Sequence, residues 1–282
     1  MEAAAPQGFR QRLQQLPRGF IYLLMALVVV WQLLFPLPMP ISPSATTKGV
    51  YDAINKVPPG KLIVISADWD ASTEAETGPQ MTAIMHACFR AKKPFALLTL
   101  SPPAGAKLAN DRAVAVAEQY GAKYGVNWCN WGYKYGYENI VMSLAKNIPA
   151  TLKSDFHGDP ISALPMMTGV KDYRDLGLVI EVTGLANVTE IWLGFLRGPF
   201  GTPLAAGYTA VMAPGYYPFV DSHQMAGMLV GAKGAAEMEA LVEHPGDATR
   251  IMNVQSWAHL LIIALIVVGN LGYLLARGGG RR

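Results

Sequence analysis

Cysteine is nearly absent from this 282-residue chain, with Cys88 and Cys129 the only two. Two cysteines make no CxxC pair, haem-attachment motif or zinc-ligand set, which excludes a multi-disulfide scaffold and a structural zinc site. Outside the cytoplasm the pair could bridge, but two buried thiols, one on a helix and one on a strand, is the plainer reading. Charge is scarce as well, at 15% of residues against 51% hydrophobic. That balance is low and high, respectively, for a soluble protein. The basic excess is small, 23 residues against 20 acidic, and no domain-wide basic surface for nucleic acid follows from it. Glycine-rich phosphate loops of the G-x-x-x-x-G-K-[ST] or G-x-G-x-x-G kind do not follow the first apolar strand. A G-x-S-x-G nucleophile elbow is missing. The five histidines, His86, His157, His223, His244 and His259, have no ligand spacing. Nothing in this inventory names a cofactor.

What the chain has instead is two long hydrophobic runs. The first, Phe20–Phe35 within a span placed at 19–36, ends at a proline. The second, Val254–Ala276, makes about 35 Å of helix, enough to cross a hydrocarbon layer of roughly 30 Å. No A-x-A site follows the first run, so it reads as a retained anchor rather than a cleaved leader. Arg10, Arg12 and Arg18 precede it within a basic segment, 1–18, and Arg277, Arg281 and Arg282 sit in the tail, 277–282. Between the spans, residues 37–255 hold 17 basic and 19 acidic residues. The positive-inside rule then places both termini in the cytoplasm and the central domain outside; a cytoplasmic domain is the alternative. Neither span contains an acid, lysine or arginine, which argues against an ion or proton path through this chain alone. Asn270, beside Gly269 and Gly272, puts one amide in the second span, and Gln32 of the first span, or Asn270 of another subunit, is its expected partner.

Between the spans the pattern is that of an α/β domain over 61–250, reached through a proline-rich stalk and short helix over 37–60. Pro36, Pro38, Pro40 and Pro43 exclude helix, and Gly49–Val57 reads as the short helix. Leu62–Ser66, Phe95–Leu100, Tyr124–Asn130, Leu176–Val182, Thr189–Leu196 and Thr209–Ala213 read as strands. Pro79–Ala91, Asn110–Tyr120, Glu138–Lys146 and a long Ser222–Glu243 read as helices. Apolar strands alternating with helices predict βαβ units, hence a three-layer, mostly parallel sheet of five or six strands, Rossmann-like or flavodoxin-like.

In such sheets ligands sit beyond the carboxyl ends of the strands. The loop after the first strand carries Asp68, Asp70 and Glu74, with Ser72 between them and Ser101 after the second strand. Asp68 and Asp70 are candidate ligands for a divalent cation, and with Ser72 and Ser101 for a polar small molecule. The plainer reading is a solvated loop capping the next helix. Asp68-Trp69-Asp70 after a buried strand resembles the haloacid-dehalogenase phosphatases. That resemblance implies Asp68 as nucleophile and Asp70 as general acid. It gives Thr99 or Ser101 the hydroxyl role and Lys171 the required lysine. Ala71 and Ser72 stand where that family has Gly and then Thr or Val. Asp172 and Asp175 follow Lys171 without the preceding apolar strand the family uses.

Aromatic residues crowd between Tyr120 and Tyr137. Trp128, Trp131, Tyr133 and Tyr135 from this stretch, with Tyr216, Tyr217 and Phe219 from an apolar Gly/Pro-punctuated loop, are candidate interface residues. The final helix is rich in glycine and alanine, which permits close packing. Few catalytic signals, apolar loops and laterally packing helices point to a structural or assembly subunit of a larger membrane complex. Its partners would be the bilayer, copies of itself or other membrane subunits. A membrane-tethered sensory domain and a metal-assisted hydrolase using Asp68 and Asp70 are the alternatives.

Overall fold

The computed structural model describes residues 17–278. The basic segment before residue 17 and the end of the tail lie outside the described residues. The chain divides into two units: an apolar one, 17–40 with 250–278, and an α/β one, Ile41–Thr249.

In the apolar unit, α1 spans Arg18–Leu34 and α11 spans Asp247–Gly278. α11 is long and apolar enough to cross a membrane. α1, at 17 residues, is a shorter apolar helix, so one such helix is found among the described residues rather than two. The prolines after α1 exclude regular structure, as their fixed φ and missing N–H require. Their free backbone groups find side chains instead. Gln32 accepts from Leu37 N–H at 3.1 Å, Asn253 from Met39 N–H at 3.0 Å, and the Trp257 indole donates to Leu37 C=O at 3.2 Å.

The α/β unit opens with α2, Ala45–Lys56, capped by the Ser44 hydroxyl. It continues β1 Leu62–Asp68, α3 Glu74–Arg90, β2 Phe95–Thr99, α4 Ala104–Gln119, β3 Trp128–Tyr133, α5 Tyr137–Lys146 and α6 Ile148–Leu152. A loop with three short 3-10 turns leads to β4 Leu176–Thr183, α7 Val188–Trp192, a π turn over Leu193–Arg197 and the one-turn α8 Gly198–Phe200. Then come β5 Leu204–Tyr208, α9 Tyr217–Asp221, β6 Met228–Val230 and α10 Gly231–Leu241. The six strands form one parallel sheet in the order β3-β2-β1-β4-β5-β6. This is the doubly wound Rossmann order, and it decides between the two sheet types expected.

Side chains alternate across the sheet. Ile63 and Ile65 face a layer built by Val50 and Ile54 of α2, Met81 and Met85 of α3, Ala113 of α4 and Met238 of α10. Leu62 and Val64 face the other layer, built by Val141 and Leu144 of α5, Ile148 and Leu152 of α6, and Val188 and Trp192 of α7. Cys88 and Cys129 are buried and free, one in each layer, and burial pushes both thiols up.

α2, α3 and α4 begin four to six residues before their expected starts, and four other segments differ from the sequence expectation. Thr189–Leu196 is helical, because Val188, Ile191 and Trp192 bury one face at helical spacing, a pattern that a short apolar run hides. The strand expected at Thr209–Ala213 lies earlier, at Leu204–Tyr208. Its small residues serve packing: a Cβ on Gly207 would lie 2.4 Å from the Gln80 side chain. Ser222–Glu243 is not one helix. β6 comes first, and Gly231, at φ +55°, turns the chain into α10. β3 is shifted toward the C-terminus of its expected range, beyond the turn at Gly125.

Two buried acids of α10 hold the chain where it enters and leaves the α/β unit. Glu237 accepts from Ser44 N–H at 3.1 Å, the Ser44 hydroxyl at 2.6 Å and the Thr47 hydroxyl at 2.7 Å. Glu239 accepts from the N–H groups of Gly246, Ala248 and Thr249 and from the Thr249 hydroxyl. These are the orphan donors of the first turn of α11.

Candidate functional site

The strand order reverses between β1 and β4, so their carboxyl ends form the topological switch point. Register pairs Ser66 with Glu181 and Asp68 with Thr183 on β4, and Thr183 with Tyr208 on β5. The period of two puts all five side chains on one sheet face, and all are buried.

Asp68 Oδ1 accepts from the N–H groups of Leu100 at 2.7 Å and Ser101 at 2.9 Å, and Oδ2 accepts from the Ser66 hydroxyl. Burial pushes its carboxyl up to about 6 despite these bonds. Glu181 accepts from Thr189 Oγ1 at 2.5 Å through Oε2, while Oε1 has no hydrogen-bond partner among the described residues. Burial, and then the neighbouring Asp68, holds this carboxyl well above its usual range. Two acids share a buried polar patch, and among the described residues no ion pair includes either. Burial therefore favours the protonated form of Glu181, because a second buried charge beside Asp68 is costly.

The patch reaches the surface through hydroxyls. Thr189 Oγ1 lies 2.8 Å from the Tyr208 hydroxyl, the Tyr208 and Tyr216 rings stack at 4.2 Å, and the Tyr216 hydroxyl donates to exposed Glu190 at 3.3 Å. Burial, with the Glu190 charge next, pushes the Tyr216 phenol up to about 12.

The backbone packs closely beside the switch point. A Cβ on Gly184, after β4, would lie 2.5 Å from Thr73, and one on Gly105 would lie 2.3 Å from Ala67 C=O. The first turn of α3 carries Glu74 and Glu76, which suit a helix N-terminus but repel an anion. Glu74 pairs with Arg112 at 2.8 Å, and Glu76 accepts from Ala210 N–H at 2.8 Å.

Asp70 is turned to a different task from Asp68. Its Oδ1 accepts from Ser72 N–H at 2.8 Å and the Ser72 hydroxyl at 2.5 Å, and these bonds lower its carboxyl. Ser101 contributes to the buried patch through its N–H. Lys171, Asp172 and Asp175 precede β4, and Asp175 lies 3.7 Å from Lys61, which precedes β1. The lysine and acidic pair implied by the phosphatase resemblance thus sit at the opposite end of the sheet from Asp68. Among the described residues no group of three or more His, Cys, Asp or Glu side chains is gathered as metal ligands. Among the described residues, Asp68 and Asp70, the expected cation ligands, belong to no such group.

The aromatic candidates separate by burial. Trp128 and Trp131 are core residues on opposite faces of β3, and Tyr133 is half-buried. Tyr135 is 82% exposed. Tyr216 is buried under Tyr208, Phe219 is partly buried against the core, and Tyr217 is exposed. Tyr135 and Tyr217 are therefore the members open to a partner. In the apolar unit Gln32 bonds to Leu37 rather than to Asn270, Gly272 is buried, Gly269 is half-buried and Asn270 is exposed.

Glu181, Thr189 and Tyr208 were not singled out from the sequence. One signal was legible: Glu181 interrupts the apolar run Leu178–Val182, where a charge has no solvent. Compared with known protein families, curated proteins and solved structures, the chain matches none.

Proposed function

We propose that this protein is a membrane-anchored, non-catalytic structural or assembly subunit of a larger membrane complex. One observation carries the reading: large apolar side chains are exposed mainly along α1 and α11. Leu23, Leu27, Leu33 and Leu34 on α1, and Ile263, Ile266, Leu271 and Leu274 on α11, are all more than half exposed. Contiguous apolar surface of this extent calls for lipid or protein cover. The clamps at Glu237 and Glu239 support two anchors in one bilayer, since both chain exits are fastened to α10. The basic termini favour a cytoplasmic location for both ends and an extracytoplasmic α/β domain. The acids in the first turn of α3, where a sheet of this type would hold a phosphate, support a role without nucleotide chemistry.

The test is native mass spectrometry of the protein extracted in mild detergent. An assembly of defined stoichiometry is expected; a 30.4 kDa monomer would overturn the reading. A reporter fused at the C-terminus checks orientation, with a cytoplasmic signal expected.

A second reading, a sensory domain, is favoured by one observation: the buried acid pair Asp68–Glu181 with its hydroxyl path toward Glu190. Metal or small-molecule binding at Asp68 and Asp70 would be lost in Asp68→Asn with assembly intact.

A further inference from the structure

Along α11, Val254, Ala258, Leu261, Leu265 and Gly269 form a half-buried stripe, continued by buried Gly272. At roughly 100° per residue, the residues about 180° away are Leu260, Ile263, Val267, Asn270 and Leu274. These five are exposed, with Ile263 at 56% and Leu274 at 62%. Their spacing alternates three and four, the heptad seam of a two-stranded coiled coil. Every member is aliphatic except Asn270, and no side-chain hydrogen bond is made by Asn270 among the described residues.

We propose that this face docks against the same face of a second copy of the chain, in parallel, with the two Asn270 amides bonded to each other. The inference rests on the membrane-anchored reading above and names its partner. An amide carries both a donor and an acceptor, so it complements itself. A two-fold axis along the membrane normal brings equal depths together, and Asn270 then meets Asn270 without further design. A different partner must supply its own polar group at that depth. In hydrocarbon a bare amide has no water to satisfy it, which makes the pair worth forming. A single Asn in an otherwise aliphatic seam also fixes register and favours two strands.

The test uses the full chain in native membranes. Single substitutions Ile263→Cys, Val267→Cys and Leu274→Cys are oxidised and compared with Leu261→Cys and Leu265→Cys. The parent chain, whose own cysteines are buried, is the control. Disulfide-linked dimers are expected from the first three and not from the other two. In detergent, Asn270→Leu should weaken dimerisation roughly three- to thirty-fold, while Asn270→Gln retains it. Cross-linking only at Leu261 and Leu265, equal yields at all positions, no dimer, or an Asn270→Leu dimer of unchanged affinity overturns the proposal. Alkaline carbonate and native mass spectrometry separate the failures: a chain that stays in the membrane in complex with other proteins but without a second copy of itself sinks this proposal alone, and one that is washed off sinks the anchoring as well.

Discussion

The Glu239 carboxylate accepts the Thr249 hydroxyl at 2.6 Å, and through the same side chain it takes three N–H groups at the start of α11. A side chain from the preceding helix thus does what an N-cap residue does locally. Glu239→Ala leaves these donors without that acceptor and is expected to cost about 2–3 kcal/mol. Hydrogen exchange should show Gly246, Ala248 and Thr249 losing protection while the β1 and β4 amides keep theirs. Glu239→Gln, which retains one acceptor oxygen, should lose less.

Asp68 makes stability depend on pH. Its folded value of about 6 lies above the ordinary 3.8, so the folded chain binds that proton more tightly. Its contribution is fully present below about pH 4 and declines as pH rises to about 6, by about 3 kcal/mol. Glu181 acts in the same direction. Asp68→Asn, which keeps the shape, should remove that decline in urea midpoints measured from pH 4 to 7.

His86 pulls the opposite way over the same window. Burial, then the charges of His244 and Arg90, lowers it from 6.5 to about 4. The His86 ring lies 3.9 Å from the His244 ring in a tilted pair and bonds Tyr120 at 3.0 Å, while Arg90 is tied to Val242 and Glu243. Its contribution is present above pH 6.5 and is lost as pH falls toward 4. His86→Gln should therefore make the protein less sensitive to acid than the parent, by the same urea midpoints.

Gly49 and Gly227 let α2 and the start of β6 touch through bare backbone. A Cβ on Gly227 would lie 2.2 Å from Thr46 C=O, and one on Gly49 would lie 2.2 Å from Ala226 C=O. Backbone cannot swing aside as a side chain can, so Gly227→Ala is expected to cost about 3 kcal/mol or more, read as a lowered Tm.

Tyr135 and Trp131 should separate surface from core. Trp131→Ala empties a fully buried site and should cost about 3–5 kcal/mol. Tyr135→Ala should leave the Tm unchanged and, on the proposed function, reduce the assembly seen by native mass spectrometry.

Much of the fold was legible because its signals are local. Leu62–Ser66, Phe95–Leu100 and Leu176–Val182 are mostly apolar runs, and each is a strand buried on both faces. The readings that failed lie where small residues carry the packing. Ala205, Ala206 and Gly207 lie in a strand between β4 and β6, with the Gln80 side chain against Gly207. The break between β6 and α10 depends on Gly231 adopting a positive φ beside Glu76.

The sequence by itself determined the two apolar segments, the alternation of strand and helix, and the acids that follow β1, since composition and periodicity act over a few neighbours. Only the tertiary structure decided that Asp68 meets Glu181 while Asp70 bonds Ser72 in its own loop. It alone showed that Trp128 and Trp131 belong to the core and that Glu237 and Glu239 clamp the chain exits. Each of these depends on contacts between segments far apart in the chain, and a shift of one residue in strand register would turn Asp68, Glu181, Trp128 and Trp131 to the other face.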